Sequence, residues 1–384
     1  MKASHLVNIG SRAMAAVSGP TPWSRFTHGH GRMRKSALNE VAERKREIMK
    51  TRNTFFMAAL TASVIALFAA ALHSTSASVN TREALSLTDD QNDGGVSSNV
   101  GFILFTTDRD NPSPLGMCGT CEEIYVMLPD GSDQTRLTDN DDNDSAATWS
   151  HEAKRIAFQT NRNGYTQIFL MRVDGTEQHL LAETGVNELG VQLGSQFPSW
   201  SPSGEQLCFS SQLRPREIFV IDTDGGALTN LTNNPGDDLR CDWSPWGDKI
   251  VFGSTRDDGE EIYVMNSDGS NPVRLTFASG PDANPDWSPN GQLIAFESNR
   301  DGNPEIYVMY ADGTQPVRLT EFAGQDTKPS WSPKGDRIVF HRRIAGHLEV
   351  FTMNPDGTDV TQITFTLSPG FSGFPNWAKG KLDH

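Results

Sequence analysis

From about residue 100 onward, apolar residues come in short runs, each closed within a few positions by Gly, Pro, Asn or Asp, and no stretch repeats them at helical spacing. Residues 287 to 330 (WSPNGQLIAFESNRDGNPEIYVMYADGTQPVRLTEFAGQDTKPS) show the pattern. LIAFES predicts a strand, NRDGN a turn, EIYVM a second strand, ADGT a hairpin whose glycine tolerates positive φ, and PVRLT a third strand. The stretch before the next Trp is a candidate fourth strand.

The pattern recurs in register. Asp-Gly pairs stand at 130, 174, 224, 268, 312 and 356, Leu or Ile followed mostly by Thr at 137, 181, 231, 275, 319 and 363, and Trp at 149, 200, 243, 287, 331 and 377. Four short strands make a small sheet with apolar residues on both faces (Ile294, Phe296, Ile306, Val308), which cannot bury both faces alone. Radial stacking buries each face against the next, and closing the ring leaves only short edges. Six copies therefore predict an all-β fold, a six-bladed β-propeller with about four antiparallel strands per blade, over residues 100–384. The recurring Trp reads as a wedge between sheets. Ala84–Thr88 (ALSLT) echoes PVRLT and is either a strand that locks the ring or a coincidence.

Ahead of the repeats, Phe55–Leu72 is eighteen residues long and uncharged, with Lys50 and Arg52 before it and small residues after it. That is the layout of a secretory signal, and the length also suffices for an uncleaved anchor. Residues 49–78 are accordingly expected to be a signal peptide or signal anchor and 79–99 a linker with the candidate closing strand. Residues 1–48 read as an upstream extension or a cytoplasmic basic segment, because Met49 opens a conventional signal. The propeller is then periplasmic or extracellular, or held outside the cytoplasm by an inner-membrane anchor.

Charge sharpens this division. The whole chain carries −15, but residues 1–54 carry +8 and the remainder −23. So acidic a body argues against nucleic acid as a partner, and the membrane enters only through an uncleaved anchor.

The repeated WSPxGxxIAFxSxRDGxxEIYVMxxDGxxxxRLT resembles the TolB-type propeller repeat, the PD-type relative of the WD repeat, over nearly all of the acidic body. The resemblance implies a six-bladed ring, usually in the bacterial envelope, used for protein contacts or as an accessory to an enzyme domain. TolB carries an α/β domain before its propeller. Here about 20 residues separate the signal segment, which ends at residue 78, from the first blade, so a lone propeller is expected. Peptidases that use this repeat as a gate need a hydrolase domain after it and a Gly-x-Ser-x-Gly elbow, and the sequence offers neither.

Candidate chemistry is sparse. Asp144, Asp238, Asp282 and Asp326 each precede a repeat Trp by five positions, where the other copies have Ser195 and Ser372. Facing the axis they would form an acidic ring for a cation such as calcium or for a basic ligand; facing their own loops they would accept backbone N–H groups. Asp139, Asp141 and Asn143 echo a calcium loop, without its Gly at position six or its Glu at position twelve. A solvated acidic loop is the other account. Cys118 and Cys121 (CGTC) lie in an insertion of the first copy, in none of the contexts that make a thioredoxin, haem or zinc motif, and a local disulfide is expected. Cys208 reads as a small buried hydrophobe, and Cys241 replaces a Pro. His341 and His347 flank a turn in the last copy and either approach the axis or face water. Arg109, Arg256 and Arg300 read as braces of their turns. Val186–Phe197 is the largest insertion and, with the CGTC loop, the expected place of partner-specific surface.

No catalytic residue and no resident cofactor emerge, calcium being the one ion the acids suggest. The expected function is a monomeric, non-catalytic exported scaffold that binds an envelope or extracellular protein or a glycan. The alternative is a carbohydrate-active lyase or hydrolase with its site in the central cleft.

Overall fold

The computed structural model describes residues 101–110, 121–183, 194–257, 259–366 and 370–378. Among them are 24 strands and no helix, arranged as six four-stranded antiparallel sheets. Neighbouring sheets touch in cyclic order, so the chain is the six-bladed propeller its repeats predict. The expected leader, Phe55–Leu72, and the echo at Ala84–Thr88 lie outside the described residues.

The fifth blade is representative: β16 (Asp282–Trp287), β17 (Leu293–Ser298), β18 (Glu305–Tyr310) and β19 (Val317–Arg318), ordered from the axis outward. The stretch before each Trp is therefore the innermost strand of the blade that follows it, not the outer strand of the blade that precedes it. The outermost strands have only two residues each, which keeps the exposed edges too short for a further chain to pair along them.

Alternation within β17 decides which side each residue faces. Ile294 and Phe296 pack with Val251 and Ile262 of the fourth blade, whereas Ala295 joins Ile306 and Val308 against Trp331, Ile338 and Phe340 of the sixth. Trp287 and Trp331 stay at most 5% exposed in these clusters, as wedges between blades. Burial of apolar area at about 25 cal/mol per Å² makes such seams the main source of stability.

The Asp-Gly and Leu-Thr markers belong to one joint between blades. Gly357 has φ +82°, and a Cβ there would sit 2.4 Å from the carbonyl oxygen of Leu319 in the preceding blade. Only glycine meets both the backbone angle and the close approach. Where a threonine follows the Leu or Ile, it completes a second motif: Thr320 Oγ1 accepts the Ile306 N–H at 2.9 Å and donates to Glu305 at 2.6 Å. The same Thr and Glu pairing recurs at Thr276 with Glu261 and Thr364 with Glu349.

The ring closes between the two ends of the repeat array. β24 (Ser372–Trp377) pairs antiparallel with β1 (Ile103–Thr107) and becomes the inner strand of the first blade.

Candidate functional site

The six innermost strands enclose the axis: β4 (Asp144–Trp149), β8 (Ser195–Trp200), β12 (Asp238–Trp243), β16, β20 (Asp326–Trp331) and β24. Each is bulged. In β16, Ala283 pairs with Glu297 and Asp286 with Ala295, leaving Asn284 and Pro285 outside the ladder, and the register shifts at the same place in the other five. The third residue of every inner strand has a left-handed backbone: Ala146, Phe197, Arg240, Asn284, Lys328 and Phe374, with φ between 49° and 56°. All six line one central cavity of about 130 Å³.

Because the backbone is repeated and the side chains are not, this ring breaks the six-fold symmetry of the fold. Lys328 Nζ lies 4.8 Å from the centre of the Phe374 ring beside it and 4.9 Å from that of Phe197 across the axis, and donates to Asn284 Oδ1 at 3.1 Å. The Arg240 guanidinium approaches the same Phe197 ring at 5.2 Å and faces Glu260 at 3.6 Å. Ala146 is the smallest member of the ring. Behind the ring, Glu297 accepts hydrogen bonds from the Asn284 amide and, at 3.3 Å, from the Lys328 backbone N–H. His341 Nδ1 accepts the Phe374 N–H at 3.2 Å, and its ring meets the Phe374 ring edge-on.

Enclosure sets the charge states. Burial, reinforced by the Arg240 charge, lowers the Lys328 ammonium to about 7. Burial, with Lys328 and Arg343 adding to it, lowers His341 to about 3 and keeps it neutral. Burial raises the Glu260 carboxyl, against the pull of Arg240.

Along the same cavity a belt of hydrogen bonds joins all six blades. The residue before each Trp supplies it: Asn376 accepts the Trp149 N–H at 3.3 Å, the Thr148 carbonyl accepts Trp200 Nε1–H at 3.1 Å, and Ser199 Oγ donates to Asp242 at 2.8 Å. Asp242, Asp286 and Ser330 then accept the backbone N–H of Trp287, Trp331 and Trp377 at 2.8, 2.7 and 3.3 Å.

The four repeated acids are placed elsewhere. Asp144, Asp238, Asp282 and Asp326 are fully buried first residues of their inner strands and are not among the cavity's lining residues. Each holds an arginine of its own blade: Arg162 at 2.8 Å, Arg256 at 3.0 Å and Arg300 at 2.9 Å, which follow the neighbouring strand, and Arg342 at 2.7 Å, which lies within it. Each arginine also lies over two aromatic rings of its own blade, as Arg300 does over Phe296 at 5.5 Å and Tyr307 at 4.7 Å. Arg256 and Arg300 thus brace their turns, as their recurrence suggests, and the acids are the partners they brace against. Arg109 lies over Phe105 and Tyr125 and donates to Gln134.

The remaining candidates scatter. Asp139 is 84% exposed and pairs with Arg136 at 2.8 Å, the Asp141 carbonyl oxygen lies 3.1 Å from Cys121 Sγ, and Asn143 Oδ1 accepts the Glu122 N–H at 3.1 Å. Among the described residues no group of three or more His, Cys, Asp or Glu is arranged to hold a metal ion. Cys118 lies outside the described residues, as does the second-copy insertion up to residue 193. Cys208 is not a free hydrophobe: it is disulfide-bonded to Cys241, joining the third blade to the inner strand of the fourth. His347 lies 3.6 Å from Glu349.

Sequence reasoning missed the asymmetric ring, because its members share no residue type. Their common position, two after the repeated Asp or Ser, was the available signal. The Asp and Arg brace had a clearer one, a spacing of 18 in three of the four copies.

Residues 190–284 and 278–377 each match the model of the TolB β-propeller domain. An uncharacterised protein of Agrobacterium fabrum is 31% identical over 142 residues, 34% of this chain and 46% of its own length. A protein TolB homolog of Chlorobium luteolum is 35% identical over 135 residues, 35% of this chain and 29% of its own. The chain thus spans less than half the length of these curated relatives. The crystal structure of TolB from Acinetobacter baumannii superposes with a TM-score of 0.62 at 22% identity, over 73% of this chain and 67% of that one, a likeness of fold.

Proposed function

Since the chain carries the TolB-type β-propeller, we propose that it is a non-catalytic scaffold, exported to the bacterial cell envelope, that binds a protein or other ligand at the axial cavity. The observation that carries this reading is the contrast between two sets of residues. The repeated charges are consumed in braces within blades, whereas the six residues at one bulge differ from blade to blade and converge on the axis. A repeat needs the first set for its own stability; the second is free to specialise. The disulfide between Cys208 and Cys241 supports an oxidising compartment.

The test is to express the tagged full chain in a Gram-negative host, fractionate the cells and capture cross-linked partners. Recovery from the periplasmic fraction, with a partner lost when Arg240 and Lys328 are replaced by Ala, supports the reading. Cytoplasmic recovery, or capture indifferent to the replacement, refutes it.

A second reading, a carbohydrate-active lyase or hydrolase, is favoured by the gathering of Glu260, Glu297 and His341 behind the ring. Its mark would be turnover of an oligosaccharide that Glu297→Gln abolishes. The small cavity, and the use of His341 Nδ1 to accept a backbone amide, argue for the scaffold.

A further inference from the structure

We propose that the axial cavity binds a single small carboxylate, held between the Arg240 guanidinium and the Lys328 side-chain nitrogen alongside Phe197. This deepens the scaffold reading and rests on its assignment of the axis as the binding site.

Four observations carry it. First, the two cationic side chains come from different blades yet both lie about 5 Å from one phenyl ring, Arg240 at 5.2 Å and Lys328 at 4.9 Å. Like charges so placed repel each other, and an anion between them turns that repulsion into two attractions. Second, Arg240 Nε is buried with no hydrogen-bond acceptor among the described residues, and the Glu260 contact at 3.6 Å is an ion pair too long for a hydrogen bond. A guanidinium with a donor to spare suits a planar carboxylate, which it meets with two parallel N–H donors. Third, the whole cavity of about 130 Å³ fits a carboxylate with a short substituent. It lies well below the roughly 300 Å³ at which pockets for larger ligands begin.

Fourth, the local charge balance sets the valence. The charged or titratable groups about Lys328 are Arg240 from β12, Glu260 just before β14 (Glu261–Asn266), Glu297 from β17 and His341 from β21 (Ile338–Ile344), and the Asp242 and Asp286 carboxylates line the same cavity. With His341 neutral, Glu260 and Glu297 offset Arg240 and Lys328, and the Asp242 and Asp286 carboxylates, each accepting a tryptophan N–H, add further negative charge, so no positive charge is left over for a dianion and an anion enters only together with a proton. Lys328 titrates near neutrality, and an anion beside it favours its charged form. The site therefore takes up a monoanion together with a proton.

The experiment is isothermal titration of the full chain with sodium acetate and, separately, with the peptide acetyl-Gly-Gly-Asp-amide, in two buffers of different ionisation enthalpy. Saturable one-to-one binding, proton uptake above pH 7 and an affinity falling up to about tenfold per pH unit there are expected. Tighter binding of the peptide assigns the carboxylate to a partner protein, and equal or tighter binding of acetate assigns it to a free acid. Arg240→Gln should abolish binding. Lys328→Arg, which keeps a charge without titrating, should retain binding and lose the proton uptake. Absence of binding by either probe, or unchanged binding by Arg240→Gln, overturns the proposal. Failure of both probes while a partner is still captured discards this inference alone. Cytoplasmic recovery with acetate still bound discards the envelope scaffold alone.

Discussion

Asp286 of the fifth blade accepts the backbone N–H of Trp331 in the sixth at 2.7 Å, one step after Asp242 does the same for Trp287 at 2.8 Å. These carboxylates join successive blades next to the axis, so the seams between sheets are held by polar contacts as well as by apolar packing. Replacing Asp286 with Ala leaves a buried N–H without its acceptor and should cost about 2 kcal/mol. Chemical denaturation should show the loss, with Asp286→Asn recovering part of it.

The brace between Asp282 and Arg300 gives a second prediction. The acid is fully buried and the arginine is mostly so. Asp282→Ala strands the guanidinium and should destabilise by about 3–5 kcal/mol, whereas Asp282→Leu combined with Arg300→Met should cost less than Asp282→Ala alone. A double-mutant cycle measures this coupling. Thermal scans with calcium and with chelator on Asp282→Asn combined with Asp326→Asn check the other reading of these acids. With the brace as their role, the melting temperature falls and calcium moves wild type and variant alike.

The disulfide between Cys208 and Cys241 closes a loop with a sequence separation of 33. By loop-closure entropy alone its removal should cost about 3–4 kcal/mol. Both cysteines are at most 5% exposed, so reductant should leave the native melting temperature unchanged until denaturant opens the seam. Mass spectrometry of alkylated protein along a denaturant series reads both effects.

Two axial groups give opposite ends of the pH profile. His341 titrates near 3 in the folded protein against 6.5 ordinarily, so between these values the unfolded chain binds more protons and stability falls as pH drops through the window. Lys328 titrates near 7 against 10.5, so stability rises with pH between 7 and 10.5 and is insensitive to this group below 7. Each contributes on the order of 1.4 kcal/mol per pH unit within its window. His341→Phe should flatten the acid limb and Lys328→Met the alkaline limb of a plot of unfolding free energy against pH.

Much of the fold was legible because a repeat writes the same physical demand six times. The glycine at 357 must accept positive φ beside the Leu319 carbonyl, the threonine at 320 must reach Glu305, and Trp287 must fill a seam, so each recurs at a fixed interval. The axial site was illegible for the converse reason. Ala146, Phe197, Arg240, Asn284, Lys328 and Phe374 share a backbone demand that many side chains satisfy, and nothing in their identities marks them as neighbours. The partner of Cys208 was hidden similarly: the two cysteines occupy non-equivalent places in their copies and meet only because a second strand packs on the inner strand of the next blade.

The pairing of β24 with β1 also dictates an order of events. As the chain emerges from a ribosome or through a membrane, blades two to six can each complete a sheet from consecutive residues, while the first sheet lacks its axial strand until residues 372–377 arrive. Until then Ile103 and Phe105, which end up in a core with Val339, Val350 and Trp377, have no finished seam to enter. The earliest blade made is thus the last to be finished.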